Sequence, residues 1–403
     1  MPSQIAWLDA SSEEQRRMRD IIKLFSEREA RDELGIGTIR DAMSDMLFPG
    51  TSTLHTRARY LLFVPWSFME ATGQRNPMGA ADRSERTLIT ALKSAVDNGG
   101  RFGAQAGTDL KNMPSEIYWA ALGRYGIRMD PVATRECVLG DNEAGRGRSA
   151  DDSAETPAPW HGSIPGAPEG FPGSVPSGFT LTREEAEWLR ERMLTAAPGT
   201  LLEHYIHHSP TAGSEFAWDD PAVTAISSEL ETSVGHARAF SAVIHGAQLL
   251  YNLMLAEQYR DAGHSGQEGL SEHYRGEMGI WAENLPNEVD LDRWDLHDMI
   301  GLAEAQRSRP VPFLTVQFVE RWTEQLRQHS PESVGDLDSA RSLIVEREQR
   351  MKRKNGRLNS DMHLASWGGA AGASRLTFRW RNVQRLLGDL HDGLNSEDVG
   401  ADA

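Results

Sequence analysis

Apolar residues recur at helical spacing along most of the chain, and the breaks between periodic stretches fall at glycine and proline. Residues 11–33 predict an amphipathic helix: Met18, Ile21, Ile22 and Phe25 repeat at i, i+3, i+4 and i+7, behind a Ser11/Glu14 capping box and ahead of Gly35. The stretch from Leu34 to Trp66 then predicts helix, tight turn, helix. Ile36, Ile39, Met43, Met46 and Leu47 mark the first helix, Pro49-Gly50 breaks the backbone, and Thr51-Ser52-Thr53 offers hydroxyl caps for the second. That second helix would begin polar, with Thr53, Thr56, Arg57 and Tyr60 on one arc, and end apolar through Leu62, Phe63 and Trp66.

Further helices are predicted over 82–96, from Pro114 to near Gly123 or Gly126, from a second capping box at Thr182/Glu185, over 200–208, over 222–262 as one helix or two abutting at Gly235, from Pro312, over 339–354 and over 379–390. Few segments read as strands, and no repeat at solenoid periods is visible. The fold expected is mainly α and multi-helical, with two helical domains joined by a Gly/Pro-rich linker. Residues 141–178 carry that linker, with 7 Gly, 6 Pro and no apolar periodicity. Its first part, 141–156, reads as disordered, and Trp160, Ile164, Phe171 and Val175 would dock the remainder. The domains expected are therefore 1–140, 179–392 and a disordered tail at 393–403.

Composition narrows the class. A chain of 403 residues with 39% hydrophobic and 25% charged residues is long enough for several cores and reads as globular. Its net charge of −17 excludes nonspecific binding of nucleic acid by the whole surface, so any such contact is local. The single cysteine, Cys137, excludes an intrachain disulfide and fits a cytoplasmic location. The start of the chain has no secretory pattern. The uncharged run Ala239–Ala256 is near membrane-span length but includes Ser241, His245, Gln248 and Asn252, so it reads as a buried helix and no membrane is expected.

Four stretches could carry chemistry. Thr53, Thr56, Arg57 and Arg59 could sit in a nucleic-acid groove, or at a helix N-terminus that captures a phosphate, against a core hairpin as the plainer reading. Ser241, His245, Gln248 and Asn252 fall within about 60° of one another on a helix, as either a hydrogen-bonded seam or a pocket wall. His204 and His208 stand at i, i+4 beside Glu203, but the order is not that of a zinc-protease motif, and no metal is expected. Finally, Met351–Arg385 holds eight basic residues and one acid, among them Arg375, Arg379, Arg381 and Arg385, a local charge of +7 in an acidic chain. Walker, Rossmann and GxSxG patterns are absent, so the enzyme reading has no catalytic residues to name and no cofactor is expected.

The segments LGIGTIRDAMSDMLFPGTSTLHTRARYLLFVPW, FSAVIHGAQLLYNLMLAE and WGGAAGASRLTFRWRNVQRLL together resemble an uncharacterised bacterial family, largely actinobacterial. The resemblance spans nearly the full chain. It implies a shared fold, an association with mobile-element or phage-defence gene clusters, and no assigned catalytic residue. The leading expectation is a non-enzymatic accessory protein that meets DNA or RNA phosphates through the basic segment with Arg57 and Arg59. A small-ligand pocket along Ser241–Asn252 and a scaffold for a partner protein are the alternatives.

Overall fold

Helices form where the periodic pattern runs uninterrupted, and five of them begin at a side-chain cap, from Asn76, Thr134, Thr182, Thr200 and Asp295. The computed structural model describes residues 32–103, 110, 112–140, 158–211, 213–224 and 226–396, and among these the chain is helical with no strand. All but the last two residues of the helix expected over 11–33 lie outside the described residues, as do 141–157 and 397–403.

The chain divides into two compact units that are not consecutive in sequence: 1–43 with 231–378, and 44–230 with 379–403. The expected division at 141–178 follows composition, whereas compactness follows packing. Residues 158–178 lie within the second unit.

The first unit is built on one long helix. We label the helices in chain order: α1 (Gly37–Leu47), α2 (Tyr60–Ala71), α3 (Pro77–Ala91), α4 (Pro114–Arg124), α5 (Arg135–Val138), α6 (Arg183–Ala196), α7 (Leu201–His207), α8 (Ser228–Asp261), α9 (Leu270–Glu288), α10 (Leu296–Arg307), α11 (Phe313–Gln328), α12 (Asp338–Lys352), α13 (Asp361–Ala365) and α14 (Trp380–Asn395). Helix α8 is long and apolar enough to cross a membrane, and 94% of its apolar window is buried inside the protein. Trp281 of α9 and Trp322 of α11 donate their indole N–H groups to the Ala242 and Val243 carbonyls of α8, both at 2.8 Å. The Trp281 ring lies so close to Gly246 that a Cβ there would stand 2.1 Å from it, which explains a glycine inside this helix.

The second unit is organised by α2, whose residues Tyr60 to Phe68 are all buried. It meets α3 and α4, while α6 meets α14 closely enough that a Cβ on Gly393 would stand 2.7 Å from Ala186. Part of the Gly/Pro-rich stretch packs within this unit. Trp66 donates to the Pro165 carbonyl at 2.7 Å, Phe171 packs against Phe63 and Trp66, and Trp160 and Val175 are buried.

Several local expectations shift. The helix expected over 82–96 spans Pro77–Ala91, because Asn76 accepts from the Gly79 N–H and Pro77 takes the first position. Helices α9 and α10 were not anticipated; α9 carries Pro286 in its last turn, a residue that reads as a breaker. Helix α14 continues to Asn395, past the bound expected at 392. The largest shift concerns the second helix of the Leu34–Trp66 stretch, which starts at Tyr60 rather than Thr53.

Candidate functional site

The backbone from Thr56 to Ala58 does not enter the helix early because its N–H groups are taken by side chains. The Tyr118 hydroxyl accepts from Thr56 N at 2.8 Å and Arg57 N at 3.1 Å and donates to the Arg57 carbonyl, while the His55 ring stacks on Tyr118. Asp389 of α14 accepts from Ala58 N at 2.8 Å. Thr53, Thr56 and Arg57 therefore stand on a turn, not on the polar arc of a helix. The helix-turn-helix arrangement is corrected accordingly.

This turn is an anion site, and its anion is the chain's own carboxylate. The Arg57 guanidinium grips Asp389 through Nε, at 3.0 Å to each oxygen, and through Nη2 at 2.8 Å. It holds Asp97 through Nη1 at 2.8 Å and Nη2 at 2.5 Å, and Nη1 also donates to the Gly99 carbonyl. Burial works against the cation, but the hydrogen bonds to Asp97 and Asp389 outweigh it and hold Arg57 above its ordinary range. Its bonds to Arg57 hold the Asp97 carboxyl low, whereas burial raises that of Asp389 in spite of the same partner. The difference follows exposure, 34% for the Asp97 side chain against 7% for Asp389. One guanidinium facing two carboxylates has no charge left for a phosphate.

Arg59 is likewise used internally. It is 2% exposed and donates to Glu185 Oε1, Ser177 Oγ and the Gly178 carbonyl, each at 2.8 Å. Arg379, in left-handed conformation ahead of α14, donates through Nη1 to Asp45 Oδ1 at 2.6 Å and to the Thr51 carbonyl at 2.7 Å. Asn382 adds bonds to the Thr53 and His55 carbonyls at 3.1 and 2.7 Å. The start of α14 and the 48–59 turn thus share one face, on which Thr53, Arg381 and Arg385 are exposed. Arg375 belongs to the other unit, where it donates to Glu288 Oε1 at 3.0 Å and Ser241 Oγ at 3.2 Å.

The polar stripe of α8 faces protein, which corrects the alternative reading of a pocket wall along it and leaves the hydrogen-bonded seam. Ser241 donates to the Leu376 carbonyl at 2.7 Å, and Asn252 pairs with the backbone of Ala371, donating to its carbonyl at 2.9 Å and accepting from its N–H at 2.7 Å. His245 is held down to about 4 by burial and by the nearby Arg375, against a bond to the Ala373 backbone. The Gly/Ala-rich loop 367–376 has no helix of its own, and these side chains pair its backbone. Beside Gln248 and Tyr251 a cavity of about 30 Å³ remains, with the Gln248 side-chain oxygen, Oε1, facing no partner. That is room for a water, not for a metabolite.

The histidines do not assemble a reactive centre among the described residues. His204 Nε2 lies 2.7 Å from the Ala222 carbonyl and His208 Nδ1 lies 3.0 Å from the His204 carbonyl, so each of these nitrogens carries a proton and cannot ligate a metal. No group of three metal-ligating side chains occurs among the described residues. Two contacts invisible in the sequence resemble catalytic pairs. His161 Nδ1 stands 3.1 Å from Ser163 Oγ, but the Ser163 N–H also reaches Nδ1 at 3.3 Å and Arg192, a pure donor, occupies Nε2 at 3.0 Å, so both ring nitrogens are already engaged. His236 accepts from the Trp294 indole at Nδ1 and meets Asp298 at Nε2, so both ring nitrogens are engaged. Partners 58 and 62 residues away leave no local signal.

These features define an all-helical protein in which the side chains that look reactive in the sequence tie down irregular backbone. The chain belongs to DUF6361, a family of unknown function whose model matches residues 2–394. No curated protein and no solved structure matches it.

Proposed function

We propose that the protein is a non-enzymatic accessory factor that contacts nucleic-acid phosphates through the face shared by α14 and the 48–59 turn. The observation that carries this reading is the exposure of Arg381 and Arg385, one turn apart on α14, beside exposed Thr53. Arginines near a helix N-terminus oppose the helix dipole, and the first turn of α14 holds no acid. Arg57, Arg59, Arg375 and Arg379 drop out of direct contact because carboxylates hold them; Arg379 positions the turn instead. With only two or three phosphate contacts the binding is weak and strongly dependent on local geometry.

The test is titration of fluorescein-labelled single- and double-stranded DNA at a series of salt concentrations. The wild type is expected to bind less as salt rises. Arg381→Ala with Arg385→Ala should lower the slope of log affinity against log salt by about 2, at nearly one unit per lost phosphate contact. Thermal stability should stay unchanged. Binding that ignores salt, or that survives both substitutions with the same slope, overturns the reading.

A further inference from the structure

The 48–59 turn presents an apolar side chain on the face that carries Arg381 and Arg385. Leu54 stands between Thr53 and His55 and exposes 55% of its surface. This exposure is built into the backbone. Asn382 of α14 donates through Nδ2 to the carbonyls on both sides of Leu54, Thr53 at 3.1 Å and His55 at 2.7 Å. The Leu54 N–H donates to Ser52 Oγ and the His55 N–H to the Ser52 carbonyl, both at 3.2 Å. The His55 ring, 3% exposed, stacks on Tyr118. With both neighbours anchored, the leucine cannot turn inward without breaking these bonds, so its apolar surface stays in water.

The charge around it says what can cover it. Arg381 and Arg385 are exposed and lie about 100° and about 60° from Asn382 around α14, both on the same side of it. An occupant of this face therefore brings anionic groups to the guanidiniums and an apolar surface to the leucine a few ångströms away, which is the pattern of a phosphate beside its base. A wedge between paired bases is ruled out by magnitude, since opening a base step costs more than one half-exposed leucine returns. An unpaired base carries no such cost. We propose that Leu54 packs against an unpaired base, so that this face takes single-stranded nucleic acid in preference to duplex. The inference rests on the phosphate reading above and adds the strand class that the face selects.

The test uses the full chain and three fluorescein-labelled DNA probes of equal length: a single strand, the same strand with consecutive abasic sites, and the duplex. Phosphate contact alone would rank the duplex first, because its charge density is higher. The wild type should instead bind the base-bearing single strand most tightly, about fivefold above the abasic strand, the effect of removing the exposed part of one leucine from water. Leu54→Ser, at an exposed position, should bring the two single strands to one affinity and leave the slope of log affinity against log salt unchanged. Equal wild-type affinities for the two single strands, tighter binding of the duplex, or a base preference that Leu54→Ser keeps would each overturn the proposal while salt-dependent binding leaves the phosphate reading standing. Binding that ignores salt overturns both.

Discussion

In the first half of the Leu34–Trp66 stretch, the carbonyls of Leu34 and Gly35 accept from Arg347, a buried guanidinium whose acceptors are three carbonyls and the Thr315 hydroxyl. In the second half, Arg57 is gripped by two carboxylates. Burial pulls Arg347 below its ordinary range, while the hydrogen bonds to Asp97 and Asp389 hold Arg57 above it despite burial. Both arginines fasten irregular backbone to a helix, but only one does so with balanced charge. A guanidinium bound by neutral acceptors carries its desolvation cost alone, whereas one bound by carboxylates leaves buried anions behind when it is removed.

The comparison fixes the order of expected effects. Arg57→Met should destabilise most, by about 3–5 kcal/mol, because Asp97 and Asp389 would face each other without a cation. Arg347→Met should cost less, about 1–3 kcal/mol, since the unpaired carbonyls are partly offset by removal of a buried charge. Urea unfolding of the two variants checks this order, and a larger loss for Arg347→Met would break the comparison.

Glu85 sharpens it from the anionic side. This buried carboxylate accepts from Ser115 N at 2.7 Å and Ser115 Oγ at 2.9 Å, and burial pushes it up to about 7 despite those bonds. Its folded form holds the proton more tightly than the unfolded form, whose carboxyl titrates near 4.5. The associated stability is therefore fully present below that value and lost as pH rises through about 7, by about 3 kcal/mol or less. His55 and His245, held down to about 4 chiefly by burial, act in the opposite sense. Their contribution is present above about 6.5 and lost as pH falls toward 4. Glu85→Gln isolates the first effect: relative to the wild type it should gain stability between pH 5 and pH 8, measured by urea midpoints. A constant difference across that range would show that Glu85 does not titrate there.

Local rules made much of the helical fold legible. The Thr182/Glu185 capping box, Pro114 at a first helical position and the docking of Trp160 and Phe171 need only neighbours in sequence or a large apolar surface. The start of α2 was hidden because its determinants, Tyr118 and Asp389, lie 61 and 331 residues from the groups they bind. Half of the basic segment Met351–Arg385 was misjudged for the same reason. Glu33 pairs with Lys352 and Arg357, Glu288 with Arg375, and Asp45 with Arg379, so four of the eight basic residues counted along the chain are paired with acids distant in sequence. The α8 stripe was half legible: the absence of charged residues announced a buried polar line, but only the fold supplies the loop that it pairs.

The central claim is that Arg57 is a structural tether whose anion is internal. A double-mutant cycle with Arg57→Met and Asp389→Asn, followed by urea unfolding, measures their coupling directly. The account expects a coupling of about 2–3 kcal/mol, the upper part of the range for residues in direct contact. Additive losses, with coupling near zero, would contradict it.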